Sequence, residues 1–399
     1  MKKLSELALA IRPSSTMAID TMFKQMKAEG RDVIGFAAGE PDFATPDHIK
    51  QAGIAAIENN ETRYTPAVGT MELRQAIAGR LEADFGLTYA PAEIAVSNGA
   101  KICVYASLRA LVNPGDEVIL PAPYWVSYIE MIRMVGGVPM VIEAGEEQSF
   151  KITPAQLSAA VTARTKCIIL NNPSNPTGMV YNREELAAIA RICVERDIYI
   201  ISDEVYCNLI YDGAKFTSVA ALGEEVKSRT LLVNGVSKSY AMTGWRIGYV
   251  AAPAPVSKVI GSYLSHCTGS PGTISQRAAV TALTASQETV ETMRQAFEQR
   301  RNYMVQRLGR MDGVSCIRPE GAFYVMMNVE RLLGRVLYGV AIDTSEDFCR
   351  LFLEKCGVAV VPGEGFGFPG FVRWAYAASM EHIEEGMNRL ERFLAGQAE

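Results

Sequence analysis

The sequence predicts an α/β protein: a mostly parallel sheet of seven strands covered by helices, followed by a smaller α+β unit. Three observations point there. Short β-branched runs alternate with longer helical patterns through the middle of the chain. Several of those runs (VIL, CIIL, IYII, LLV) are continuously apolar, as expected when helices cover both faces of a strand. After about residue 285 the rhythm changes to a long charged amphipathic helix with strands and helices interleaved behind it.

Taken in order, the first forty-odd residues read as an arm and a helix that returns to the smaller unit. This divides the chain into 1–45, a large domain over 46–288 and a small domain over 289–399. The candidate strands of the sheet are 94–97, 117–120, 138–142, 167–171, 198–203, 230–234 and 247–251. Asn182 is the expected N-cap of a helix over 183–196, ahead of Glu184 and Glu185. A helix spans roughly 289–311; strands near 314–317, 322–329, 358–361 and 371–376 and helices near 345–356 and 380–396 complete the small domain.

The 399 residues are 49% apolar and 21% charged, which excludes disorder, collagen and coiled coil. A net charge of -5 argues against a polybasic face for nucleic acid. No apolar run reaches the roughly 18 residues of a membrane helix, and MKKLSELALAIRPSS lacks a cleavage site. A soluble cytoplasmic chain is expected. The eight cysteines form no Cys-x-x-Cys and read as buried thiols. His48, His266 and His382 lie far apart, so neither a metal site nor a Ser-His-Asp triad is expected.

The densest chemical signal is Asn234-Gly235-Val236-Ser237-Lys238-Ser239-Tyr240-Ala241-Met242-Thr243-Gly244-Trp245-Arg246. A lysine just after a strand can form a Schiff base with an aldehyde cofactor, and Ser237 and Arg246 beside it can hold a phosphate. A lysine alone would read as a solvated surface charge. With its neighbours, this segment resembles the cofactor-lysine signature of the class I aminotransferases, which use pyridoxal 5′-phosphate.

The resemblance extends over about residues 12–395 and implies the aminotransferase fold of type I. Asp203 ends the run IYIISDE at the carboxyl edge of the sheet, where ligands bind in open α/β folds. By itself it could be a helix cap; the resemblance sets it against the ring nitrogen, with Tyr206 bonding the ring's phenolic oxygen. Asn171-Asn172-Pro173-Ser174-Asn175-Pro176-Thr177-Gly178 is similar to the family's Asn-Pro loop, which implies that Asn175 bonds the same oxygen and lowers the Schiff base's pKa; otherwise the segment is a turn. Asn98-Gly99-Ala100-Lys101 opens a helix after a strand, a phosphate-binding arrangement or an ordinary turn. Trp125 is implied to stack on the cofactor, or else fills the core.

Two more segments match. In Gly39-Glu40-Pro41-Asp42-Phe43 the glycine backbone is implied to lie near the substrate, and Tyr64 to reach the phosphate of a neighbouring subunit in a homodimer with shared sites. Arg373, in Phe371-Val372-Arg373-Trp374, has the planar fork that grips an α-carboxylate, although it could be a surface residue. The prokaryote-type aspartate aminotransferases are the most similar branch. This implies that Lys101, helped by Ser15 and Thr16, approaches a distal carboxylate. Aspartate or glutamate with 2-oxoglutarate is the expected pair, and aromatic, prephenate or alanine transamination is the alternative. The branch departures Ile102-Cys103, Trp374-Ala375 and 265–276 bear on donor preference. A regulator that binds the cofactor without turnover is disfavoured by the charge and by the lack of a basic module. Gly363-Glu364-Gly365-Phe366-Gly367 is Gly-rich, but no helical pattern follows it as a dinucleotide site requires. The resemblance implies catalysis by Lys238, displaced by the substrate amine and then shuttling the proton at Cα, with Asp203 holding the ring protonated.

Overall fold

The seven expected strands form one sheet, in the spatial order Ile94–Ser97, Gly248–Ala251, Thr230–Gly235, Tyr199–Asp203, Thr165–Asn171, Glu117–Ala122 and Val138–Glu143. The structure is a computed structural model that describes residues 3–11 and 16–397. Every pair is parallel except those of Gly248–Ala251, which runs antiparallel to both neighbours. The alternation of strand side chains explains the continuous apolar runs. Cys167 and Ile169 pack with helices Ala100–Leu111 and Ser127–Met134, whereas Ile168 and Leu170 pack with helix Arg183–Glu195 on the other face.

Local signals set the helices that matter for the site. Asn182 caps helix Arg183–Glu195 as expected: its Oδ1 accepts from Glu185 N at 2.9 Å, while Glu185 accepts from Asn182 N at 2.8 Å. The helix expected over 289–311 spans Glu288–Leu308. It buries Arg301, which makes a two-pronged bond to Asp212 at 2.7 and 2.8 Å.

A second sheet pairs Tyr324–Asn328 antiparallel with Phe371–Ala375, flanked by Ser315–Cys316 and Val361–Pro362. The amino-terminal segment joins this part of the molecule, since Ile34–Gly35 pairs with Val358–Ala359. Arg300 then clamps Asp42 through both carboxylate oxygens, at 2.6 and 3.0 Å, fastening the stretch that carries Gly39. A hairpin of Arg335–Leu337 and Val340–Ile342 was not among the expected strands. Of the eight cysteines five are buried, Cys316 and Cys356 are half-buried and Cys267 is exposed; all are free thiols.

Candidate active site

Strand register brings the expected residues together. Asn171 pairs with Asp203 at the carboxyl ends of adjacent strands, and Val233 pairs with Asp203 on the next, just before Ser237 and Lys238. Beyond these ends lies a cavity of about 340 Å³, lined among others by Gly39, Ala100, Lys101, Trp125, Asn175 and Asp203. Tyr206, Ser237, Lys238, Arg246, Tyr324 and Arg373 complete its chemistry. Among the described residues four of the lining side chains are cationic and Asp203 is the lone carboxylate, so the cavity suits an anionic ligand.

Asp203 is buried, accepts from Tyr128 Oη at 2.7 Å and from Val205 N at 3.3 Å, and is followed by turns rather than a helix. The cap reading therefore fails. Burial pushes its carboxyl up to about 6, against the opposing pull of the Tyr128 bond. Lys238 donates from Nζ to the Gly39 carbonyl, and burial brings its ammonium down to about 8. A lysine so depressed is closer to being a free amine near neutral pH.

Arg373 is 4% exposed, so the surface reading fails as well. Its Nη1 donates to Asn175 Oδ1 at 3.0 Å and its Nη2 to Ala37 O at 2.7 Å, while the buried Nε has no partner. The guanidinium lines the cavity and carries more N–H groups than these two bonds use, so it can also receive an acceptor from outside. Asn175 is itself fixed by its own N–H bonding to Asn171 Oδ1 at 2.7 Å.

The phosphate reading meets a physical test at Gly99. This residue has φ +94, and a Cβ there would overlap the Arg246 guanidinium. Only glycine lets the arginine lie against the start of helix Ala100–Leu111, where the first-turn amides lack intrahelical acceptors. Arg246 is held there by bonds to Thr243 O at 2.9 Å and Asn98 O at 3.3 Å. Helix terminus, Ser237 and Arg246 make a cradle of donors with no carboxylate among them, as a phosphate requires. A pyridoxal phosphate thus fits: anion cradle at one end, Asp203 at the other, Lys238 between.

The profile of the aminotransferases of class I and II matches residues 31–390. This chain is a class I and II aminotransferase. Its cofactor is pyridoxal 5′-phosphate. The aminotransferase is 46% identical to the aspartate aminotransferase of Geobacillus stearothermophilus, over 99% of this chain and 100% of that one. It is 45% identical to the aspartate/prephenate aminotransferase of Cereibacter sphaeroides, again over 99% and 100%. The crystal structure of the Rhizobium meliloti aspartate aminotransferase superposes with a TM-score of 0.96 at 39% identity, covering 99% of both chains.

The remaining expected residues fall in different places. Trp125 borders the cavity, with Lys101 Nζ 4.8 Å from its ring centre and Tyr128 edge-on at 5.2 Å. Tyr64 lies away from the cavity lining and is fully exposed. Ser15 lies outside the described residues; Thr16 begins helix Thr16–Ala28, and its side chain is not among those described. The Gly363–Phe366 segment forms one short helical turn before strand Phe371–Ala375, with no dinucleotide-type helix behind it. Two tyrosines of this aminotransferase escaped the sequence reading: Tyr128, bonded to Asp203, and Tyr324, whose hydroxyl lies 2.9 Å from that of Tyr206. Among the described residues no cluster of His, Cys, Asp or Glu could hold a metal, and no helix is long and apolar enough to cross a membrane.

Proposed function

We propose that this aminotransferase moves the amino group of L-aspartate or L-glutamate to 2-oxoglutarate or another 2-oxoacid, as a cytoplasmic homodimer with shared sites. The observation that carries the reading is the division of cations within one cavity. Arg246 belongs to the phosphate cradle, Lys238 to the chemistry, and Arg373 and Lys101 remain for two substrate carboxylates.

When bound, the cofactor supplies an aldehyde that takes up the amino group and a ring that draws charge from Cα. Asp203 would hold the proton at the ring nitrogen, and Tyr128 keeps the carboxylate oriented. Tyr206 and Asn175 would hold the phenolic oxygen, and Trp125 would pack against the ring. Arg373 grips the α-carboxylate through its fork, and the Gly39 backbone closes against it. Lys238 Nζ, depressed by burial to near the working pH, would be the base that moves a proton between the substrate Cα and the cofactor's aldehyde carbon. Tyr64 is presented to solvent in the single chain, as a residue would be that completes a neighbouring subunit's phosphate site.

A second donor class is favoured by one contact. Lys101 rests on the Trp125 ring and pairs with no acid among the described residues, so it can move aside for an uncharged side chain. Relatives named for prephenate as well as aspartate are consistent with that latitude. A donor-by-acceptor screen of the purified holoenzyme tests the reading. Aspartate and glutamate should lead with 2-oxoglutarate as acceptor, and aromatic donors should be weaker. A screen led by alanine or an aromatic donor, with aspartate inert, would overturn it.

A further inference from the structure

Tyr324 links the two halves of the site. It begins the strand Tyr324–Asn328, and its register partner Ala375 lies two residues beyond Arg373. Its hydroxyl is 2.9 Å from Tyr206 Oη, and the Arg373 guanidinium sits over its ring at 4.6 Å. A Cβ on Gly39 would approach the same hydroxyl to 2.8 Å, so the backbone of 39 also packs against it. Tyr324 is wholly buried and lines the cavity.

A phenol has one proton to donate and lone pairs to accept with. If Tyr206 donated to Tyr324, it would have no proton left for an acceptor in the cavity. If Tyr324 donates, Tyr206 keeps its own. Arg373, for its part, has no carboxylate partner among the described residues: its bonds run to an amide oxygen and a backbone carbonyl, and the ring of Tyr324 supports its face. We propose that Tyr324 is a positioning residue for transamination: its hydroxyl donates to Tyr206 and so makes Tyr206 a stronger donor toward the cofactor's phenolic oxygen, while its ring holds Arg373 in the plane that receives the substrate carboxylate. The inference rests on the reading that Tyr206 serves that oxygen and Arg373 that carboxylate. One residue then tunes the cofactor and the substrate grip through separable parts, its hydroxyl and its ring.

The separation makes the test. Tyr324→Phe keeps the ring and loses the hydroxyl; Tyr324→Leu loses both. The readouts are the pH midpoint of the bound cofactor's visible absorbance and the Kd of succinate, a dicarboxylate with no amino group to transfer. The other charged groups facing Tyr206, Arg373 and Asp203, are unchanged in both variants. Tyr324→Phe should raise the absorbance midpoint by about half a pH unit or more and change succinate affinity less than about twofold. Tyr324→Leu should move the midpoint likewise and weaken succinate by about tenfold or more. Tyr206→Phe serves as reference. If it moves the midpoint and Tyr324→Phe does not, the inference fails while the reading of Tyr206 stands. If Tyr206→Phe itself moves nothing, that reading fails and the inference with it. The Phe variant decides the hydroxyl's role alone should the Leu variant not fold.

Discussion

Tyr128 Oη bonds Asp203 Oδ2 at 2.7 Å, joining helix Ser127–Met134 to the end of strand Tyr199–Asp203. The contact spans 75 residues of sequence and favours the ionised carboxylate against the burial that opposes it. A hydrogen bond to a charged acceptor contributes about 1.5–3 kcal/mol. Tyr128→Phe should therefore lower kcat/KM by roughly tenfold to a hundredfold and loosen the cofactor. Steady-state kinetics with a cofactor-release assay check this, and values within about twofold of wild type would mean that the bond only packs the helix.

Glu204, beside Asp203 in sequence, gives a pH prediction about stability. Its Oε1 accepts from Ser202 Oγ at 2.8 Å, Ser218 Oγ at 2.9 Å and Val219 N at 3.2 Å, while the buried Oε2 has no partner. Burial pushes this carboxyl up to about 7. The folded state then holds a proton that the unfolded chain releases near pH ~4.3, so this group's contribution is complete below that pH and is lost as pH rises through about 7. Glu204→Gln keeps the acceptor and cannot ionise. Its stability relative to wild type should rise between pH ~4.5 and ~8, approaching roughly 3 kcal/mol. Urea unfolding of the cofactor-free proteins across that range checks the sign; a flat difference would show that Glu204 is solvated in the folded state.

Lys101→Ala tests the distal-carboxylate reading. It should lower kcat/KM for aspartate by roughly tenfold to a thousandfold, about 1.4–4 kcal/mol, and barely touch phenylalanine. Equal losses for the two donors would assign Lys101 to the phosphate or to the fold.

Tyr64 is 100% exposed in the single chain, which suits a residue that acts across a subunit boundary. Tyr64→Phe and Lys238→Ala homodimers should each be impaired. Mixed dimers should regain activity, because one of their two sites carries neither lesion. No gain on mixing would place Tyr64 in its own subunit's function.

Much of the site was legible because its residues sit at strand ends, and strands announce themselves by apolar runs. Asp203 closes IYIISD and Lys238 follows LLVNG, so the strands put both at one edge of the sheet, and the resemblance to the aminotransferase signature implied what they do there. Tyr324 was hidden in the apolar stretch AFYVMM, where an aromatic reads as core. Its partner Tyr206 lies 118 residues away, a pairing that no local pattern encodes. Tyr128 was hidden likewise on a short amphipathic helix. The hairpin over 335–342 was missed because its strands are three residues each and largely exposed. Its turn places Tyr338 and Gly339 both at positive φ, and tyrosine is an unusual first residue for such a turn. The pairing of Ile34–Gly35 with Val358–Ala359 depends on chain segments more than 300 residues apart.

The central claim is that Lys238 is the amine that carries the cofactor. Borohydride reduction of the yellow holoenzyme, followed by proteolysis and mass mapping, tests it most directly. Cofactor mass should appear on the peptide containing Lys238, and be absent from the same digest of Lys238→Ala. A reduced adduct on Lys101 or any other lysine, with Lys238 unmodified, would contradict the account.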